Sequence, residues 1–208
     1  MSDCTELLYV HDPMCSWCWG FRPVLTRLCS QLPEEIRFRR LLGGLAADSD
    51  QPMPRAMQQQ LRQTWEQIQL RIPGTRFNYD FWANCLPRRS TYPACRAVIV
   101  ARMLDAHKEG DLILAIQQAY YLRGMNPSDT STLVGLAGEL ALDRKQFAYW
   151  LEGDTVEAQL QAEIAEARLL GASSFPTLLL KSGQAHQVVP LDYTSSRSML
   201  DTIQSLIA

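Results

Sequence analysis

The chain has 208 residues, a formal net charge of −2, and 47% apolar against 20% charged residues. That length and apolar fraction suffice for a buried core without disulfide staples. The near-neutral balance excludes an electrostatic case for nucleic-acid binding by the chain as a whole. The start of the chain carries no basic leader, and no apolar stretch approaches a signal core or a membrane span, so a cytoplasmic location is expected. Arginine dominates the basic side, and the clusters Arg37, Arg39, Arg40 and Arg88-Arg89 are read as solvated faces.

In chain order, Glu6 to His11 reads as a short strand with Leu7, Leu8, Tyr9 and Val10 as its buried content, ended by Asp12-Pro13. A helix is predicted from about Ser16 to Leu32, with Phe21, Val24, Leu25, Leu28 and Leu32 on one face and a kink at Pro23. Ile36 to Leu42 is a second strand, broken by Gly43-Gly44. Strand, long helix, strand implies a right-handed unit with two parallel strands. From about Pro52 the pattern turns helical. Met57, Leu61, Trp65, Ile68 and Ile72 form one run, followed by helices over Tyr92 to His107, from Asp111 to about Arg123, and over Asp129 to Leu142. Asp143 with Gln146 and Asp154 with Glu157 resemble capping boxes of two more helices, the last ending at Gly171. Thr177 to Lys181 and Ala185 to Val189 read as a hairpin, and Tyr193 to Ile207 as a closing helix. The expected fold class is α/β, βαβ…ββα around a large all-helical insertion. Residues 1–50 and 171–208 would form one discontinuous domain and 51–170 the insertion.

The chemistry concentrates at Cys15-Ser16-Trp17-Cys18, where the first strand gives way to the first helix. A sulfur at a helix N-terminus faces unpaired amides and the positive end of the helix dipole, which favour its negative charge. Residues three apart on a helical turn bring two sulfurs within bonding range. Cys15, at the exposed start, is therefore the expected nucleophile, and Cys18 the more buried, less acidic partner. Zinc is the weaker reading. The chain has no second Cys-x-x-Cys, and His11, His107 and His186 are far apart in sequence. Two structural cysteines without chemistry remain the other alternative. The remaining cysteines have no motif spacing: Cys29 and Cys95 read as core, while Cys4 and Cys85 have no assigned partner. His11 and Asp12 precede the motif, and either supplies a proton acceptor for Cys18 or closes the strand end with local hydrogen bonds. Trp17 is expected to be exposed as part of an apolar platform, and Trp19 to belong to the core. Pro176 marks a strand entrance, where a cis bond after Phe175 is one option.

The strand, the Cys-x-x-Cys opening a helix, and Ser174-Phe175-Pro176-Thr177 before a hairpin together resemble the thioredoxin fold. The long helical block resembles the DsbA-type disulfide oxidoreductases. "DPMCSWCWGF", "LLGGL" (Leu41 to Leu45), "ACRAVIVAR" and "SFPT" are similar to their cytoplasmic FrnE-like branch. The resemblance implies Cys15 as attacking thiol, Cys18 as resolving thiol, and a cis Pro176 lying against the pair. It also implies that Phe175 presents its backbone to an extended substrate segment. Periplasmic members carry a histidine inside the motif. Ser16-Trp17 offers no such charge, so a couple nearer about −200 mV or below than about −120 mV is expected. The expected activity is thus reduction or isomerisation of disulfides, with no bound cofactor and with glutathione as a redox partner drawn from the cytosolic thiol pool. Substrates would be disulfide-containing proteins or small thiols; no nucleic acid, membrane or metal is expected. Two alternatives stand beside it. Kappa-class glutathione transferases and chromene-carboxylate isomerases share the inserted architecture, but with serine for the leading cysteine. Some DsbA-type relatives act as binding adaptors.

Overall fold

The computed structural model describes residues 5–207. Strand β1 (Thr5–His11) is central, and both its faces are buried from Leu7 onward. It pairs in parallel with β2 (Ile36–Leu42), Thr5 opposite Ile36 and His11 opposite Leu42. On its other side it pairs antiparallel with β3 (Thr177–Ser182), Thr5 opposite Ser182 and Val10 opposite Thr177. The edge strand β4 (Ala185–Val189) completes the order β2-β1-β3-β4. It is short and mostly exposed, with His186 and Gln187 outward, as suits an edge that must not recruit another chain.

The period-two alternation of β1 assigns its side chains to two layers. Leu7 and Tyr9 face helix α1 (Ser16–Cys29) and the closing helix α9 (Arg197–Ile207), packing with Phe21, Val24, Leu28, Met199 and Ile203. Leu8 and Val10 face the opposite side, against Leu41, Leu179, Ala167 and Ala172. Ala167 belongs to α8 (Asp154–Leu169), the last of the helices set between the two halves of the sheet. The others are α2 (Arg55–Arg71), α3 (Phe81–Asn84), α4 (Tyr92–Leu104), α5 (Glu109–Tyr121), α6 (Thr130–Glu139) and α7 (Arg144–Leu151). They share a third apolar cluster around Trp65, Val98, Ile116, Leu136 and Leu160.

Several boundaries differ from the sequence pattern for local reasons. Helix α1 stops at Cys29, where Ser30 N–H and Gln31 N–H bond back to Thr26 and Leu28. The chain has to leave the helical region before Pro33. It passes through Pro23 without a break. Helix α9 starts at Arg197 rather than Tyr193, because the Asp192 carboxylate accepts from Thr194 N–H, Ser195 N–H and two hydroxyls and holds a turn there. These bonds lower the Asp192 carboxyl to about 2. Asp143 caps α7 through Gln146 N–H at 2.8 Å, but Asp154 caps nothing: Gly153 is the N-cap of α8, and Glu157 pairs with Arg96. Helix α4 ends at Leu104, since Asp105 caps a separate 3-10 turn over Ala106–Lys108. Helix α3 has no signature in the sequence pattern.

Of the arginines of β2, Arg37 is solvated as expected, but Arg39 and Arg40 are partly buried in ion pairs. Arg39 pairs with Glu166 and Glu6, Arg40 with Glu109, and Arg102 with Glu109 and Glu163. Each half-exposed pair contributes at most about 1 kcal/mol. Together they fix the register of β2 against α4, α5 and α8, which positions the Gly43-Gly44 loop.

Candidate active site

The turn after β1 is built on Asp12, which is fully buried. One carboxylate oxygen accepts from Met14 N–H at 2.8 Å, and the Asp12 carbonyl accepts from Cys15 N–H at 3.0 Å. The other oxygen takes Leu45 N–H at 2.8 Å, the Thr91 hydroxyl at 2.6 Å and the Cys95 thiol at 3.6 Å. Asp12 thus joins the cysteine turn, the glycine loop and the start of α4. Burial raises its carboxyl, and these donors oppose the rise. Cys95 is not merely core filler, because its thiol is one of those donors.

Cys15 is the N-cap of α1, with extended backbone. Its Sγ accepts from Cys18 N–H at 3.4 Å and donates to the Phe175 carbonyl at 3.3 Å. The residue is 6% exposed, so the expected exposed start is corrected to the wall of a narrow cleft. Met14 and the Phe175 loop close around it; it is not sealed. Cys18 has no exposure at all, and both cysteines are free thiols. Burial, then the thiol and charge of Cys15, push the Cys18 thiol well above its ordinary range. The Asp12 backbone N–H and the Tyr9 phenol favour its charged form.

His11 and Asp12 do not place an acid–base side chain on Cys18. The Asp12 carboxylate is committed to Leu45, Met14, Thr91 and Cys95. His11 is fully buried, stacked on Tyr9 at 4.9 Å, and neither ring nitrogen has a hydrogen-bond partner. Burial, aided by Arg40, Arg22 and Arg102, lowers it to about 3, so it stays neutral. Tyr9 reaches Cys18 where His11 does not. The alternation of β1 puts Tyr9 on the α1 face, the one clue in the sequence to that placement.

The Phe175–Pro176 bond is cis. The far end of the Phe175 ring abuts Gly43: a Cβ there would fall 2.0 Å from its Cζ. Gly44, at φ +61, turns the chain beneath Tyr92 and Ile164. Gly43 therefore makes room for the ring of the residue whose carbonyl meets Cys15. Ser16 has a structural partner: Trp65 Nε1–H donates to its Oγ at 3.1 Å in the interior. The Tyr121 hydroxyl donates to the Met14 carbonyl at 2.7 Å. Trp17 is half-buried, edge-on to Tyr193 at 5.3 Å and under Arg71 at 5.7 Å. Trp19 is only partly buried, stacked on Tyr121 and bonded to the Arg76 carbonyl. The expected contrast between an exposed Trp17 and a core Trp19 is absent, because Tyr193 and Arg71 of α2 cover Trp17 while Trp19 packs on Tyr121 of α5 and stays partly exposed. Cys4 lies outside the described residues. Among the described residues no group of three or more His, Cys, Asp or Glu could hold a metal ion.

A parallel–antiparallel sheet with a Cys-x-x-Cys at the first strand-to-helix turn, a cis-proline loop against it and an inserted helical block define the DsbA-type arrangement of the thioredoxin fold. The family model described as Thioredoxin matches residues 8–189, and the chain belongs to that family. It is similar to a candidate protein disulfide isomerase from Nitrosomonas europaea, with TM-score 0.85 and 25% identity over 98% of this chain and 97% of that one. It is also similar to the cytosolic disulfide reductase DsbM from Pseudomonas aeruginosa, with TM-score 0.76 and 25% identity over 97% and 98% of the two chains. DsbM has been solved with GSH as well. A curated relative, the ClpXP adapter protein SpxH of Bacillus subtilis (strain 168), is 25% identical over 177 residues. That match takes in 83% of this chain and 57% of SpxH, so the chain spans little more than half of that relative.

Proposed function

We propose that this chain is a dithiol–disulfide oxidoreductase that works in the reducing direction, with glutathione as its electron donor. One observation carries the reading. The Cys15 sulfur sits between the first amides of α1 and the Phe175 carbonyl, with a second free thiol one turn behind it. Negative charge on that sulfur is met by Cys18 N–H and the positive end of a 14-residue helix.

In the cycle, Cys15 thiolate attacks a substrate disulfide and one substrate sulfur leaves as thiolate. Cys18, having lost its proton, attacks the mixed disulfide at Cys15 and releases the second. A glutathione thiolate then opens the Cys15–Cys18 bond, and a second removes the first as glutathione disulfide. Two electrons pass from two glutathiones to one substrate disulfide. When Cys15 ionises, it no longer donates to the Phe175 carbonyl, which is freed for the substrate backbone. Trp17 and Pro176 would flank that segment.

A cytoplasmic setting supplies such a donor, and the similarity to a protein named as a cytosolic reductase supports this direction. We read residues 51–170 as an inserted domain that narrows access to Cys15, on a discontinuous domain of 1–50 and 171–208. The test is insulin-disulfide reduction with a glutathione-recycling system. Wild type should turn over, Cys15→Ser should not, and Cys18→Ser should accumulate mixed disulfides. Unchanged turnover by Cys15→Ser would remove the reading.

A further inference from the structure

The cleft at Cys15 has an unmatched charge. It encloses about 320 Å³, near the small end of ligand sites and roomy enough for a tripeptide. Its walls carry Cys15, Ser173, Ser174 and Phe175 from the cysteine turn and the cis-proline loop, together with Met53, Leu61, Thr64 and Tyr120 from the helical block. No Asp or Glu lines it, and its charged residues are Arg88 and Arg89. These two differ. Arg88 donates to Asp129 Oδ1 at 2.6 Å and to the Ser128 carbonyl at 2.8 Å, so its charge is answered. Arg89 is half-buried and has no ion pair or hydrogen bond among the described residues. The Asp12 carboxylate does not answer it, being bonded to Thr91, Leu45, Met14 and Cys95 inside the protein.

An unanswered, half-buried guanidinium lining the same cleft as a nucleophilic thiol is chemically a carboxylate receptor. Its planar fork accepts both carboxylate oxygens, and partial burial strengthens the pair. We infer that Arg89 binds a carboxylate of glutathione and so aligns the incoming thiol with Cys15. This rests on the reading of Cys15 as the attacking thiol and names the residue that makes glutathione, rather than any thiol, the preferred donor. In the step concerned, the glutathione thiolate attacks Cys15 Sγ, the Cys15–Cys18 bond breaks, and Cys18 leaves as a thiolate that takes a proton from solvent. Arg89 takes no part in bond exchange; it holds the tripeptide.

The test uses the full chain with its Cys15–Cys18 disulfide formed. The rate of its reduction is followed with glutathione, with glutathione diethyl ester, in which both carboxylates are blocked, and with uncharged dithiothreitol. Wild type should prefer glutathione over the ester by roughly tenfold or more, the scale of a charge-assisted pair. Arg89→Ala should lose that preference and slow with glutathione alone, while Arg89→Lys should keep part of it. Dithiothreitol rates should be equal in all three, which shows an intact redox pair independently of Arg89. An Arg89→Ala rate with glutathione within twofold of wild type would overturn the inference. So would equal slowing with all three reductants. So would a loss confined to reduction of insulin, which would assign Arg89 to an acidic group of a polypeptide substrate. If no disulfide forms, or dithiothreitol cannot open it in wild type, the Cys15 reading itself fails.

Discussion

Trp65→Ala should cost about 3–5 kcal/mol of stability, the range for removing a buried tryptophan from a packed core. That is a large part of the roughly 5–15 kcal/mol a domain holds. Trp65 has no exposure and is ringed by aromatics: Phe77 at 4.8 Å, Trp82 at 4.9 Å, Tyr79, Tyr120 and Tyr121 within 5.7 Å. Its second role is directional, because its indole N–H holds the hydroxyl of Ser16, the first residue of α1. Trp65→Phe separates the two roles. It keeps an aromatic ring in the hub but removes the donor, so its stability loss should be about 1–3 kcal/mol, close to one buried hydrogen bond plus a small void. Its insulin-reduction rate should fall further than that loss explains, and Ser16→Ala should copy the activity defect. Urea melts beside insulin turnover make the comparison. A Trp65→Phe protein with reduced stability but full turnover would show that the tie to Ser16 is packing alone.

The second large effect is on acid stability. His11 titrates near 6.5 in an unfolded chain and near 3 in the fold, where burial keeps it neutral. Between those values the unfolded state binds a proton that the folded state refuses. Stability is therefore fully present above pH 6.5 and falls as the pH drops, by about 1.4 kcal/mol per unit. From pH 6.5 to 4.5 the loss from this one group is about 2 kcal/mol. The Asp12 carboxyl is raised in the fold, so it acts in the opposite sense, but only once the pH falls to its own folded value. His11→Phe keeps a ring stacked on Tyr9 and removes two unpartnered buried nitrogens. It should raise stability at neutral pH by about 1–3 kcal/mol and flatten the acid limb. Urea unfolding at a series of pH values reads both; an acid limb of unchanged slope in His11→Phe would contradict the placement of the charge.

His11 also shows how far the sequence reaches. A histidine beside a Cys-x-x-Cys reads as chemistry, yet strand alternation and two covering layers bury it, and desolvation decides its state. What was legible came from local pattern. Leu7 to Val10 marks a central strand, Cys15 a helix start, Ile36 to Leu42 a second strand, and Ser182-Gly183 a hairpin turn. Each depends on neighbours a few residues away. The parts of the site that were not legible are ties across the chain: Ser16 to Trp65, Asp12 to Thr91 and Cys95, Gly43 under Phe175. No periodicity encodes which serine meets which indole. The same holds for Arg88 and Arg89. Adjacent in sequence, they read as one solvated pair, and only the fold gives one of them an aspartate and leaves the other facing the cleft.

The central claim is a division of labour between two sulfurs, one set at the mouth of a helix and one held protonated behind it. Treating the reduced protein at neutral pH with a single equivalent of iodoacetamide, then mapping the label by peptide mass spectrometry, tests it directly. The label should fall on Cys15, with Cys18 taking up label only as the solution becomes alkaline. First labelling at Cys18, Cys29 or Cys85 while Cys15 stays unmodified would contradict it.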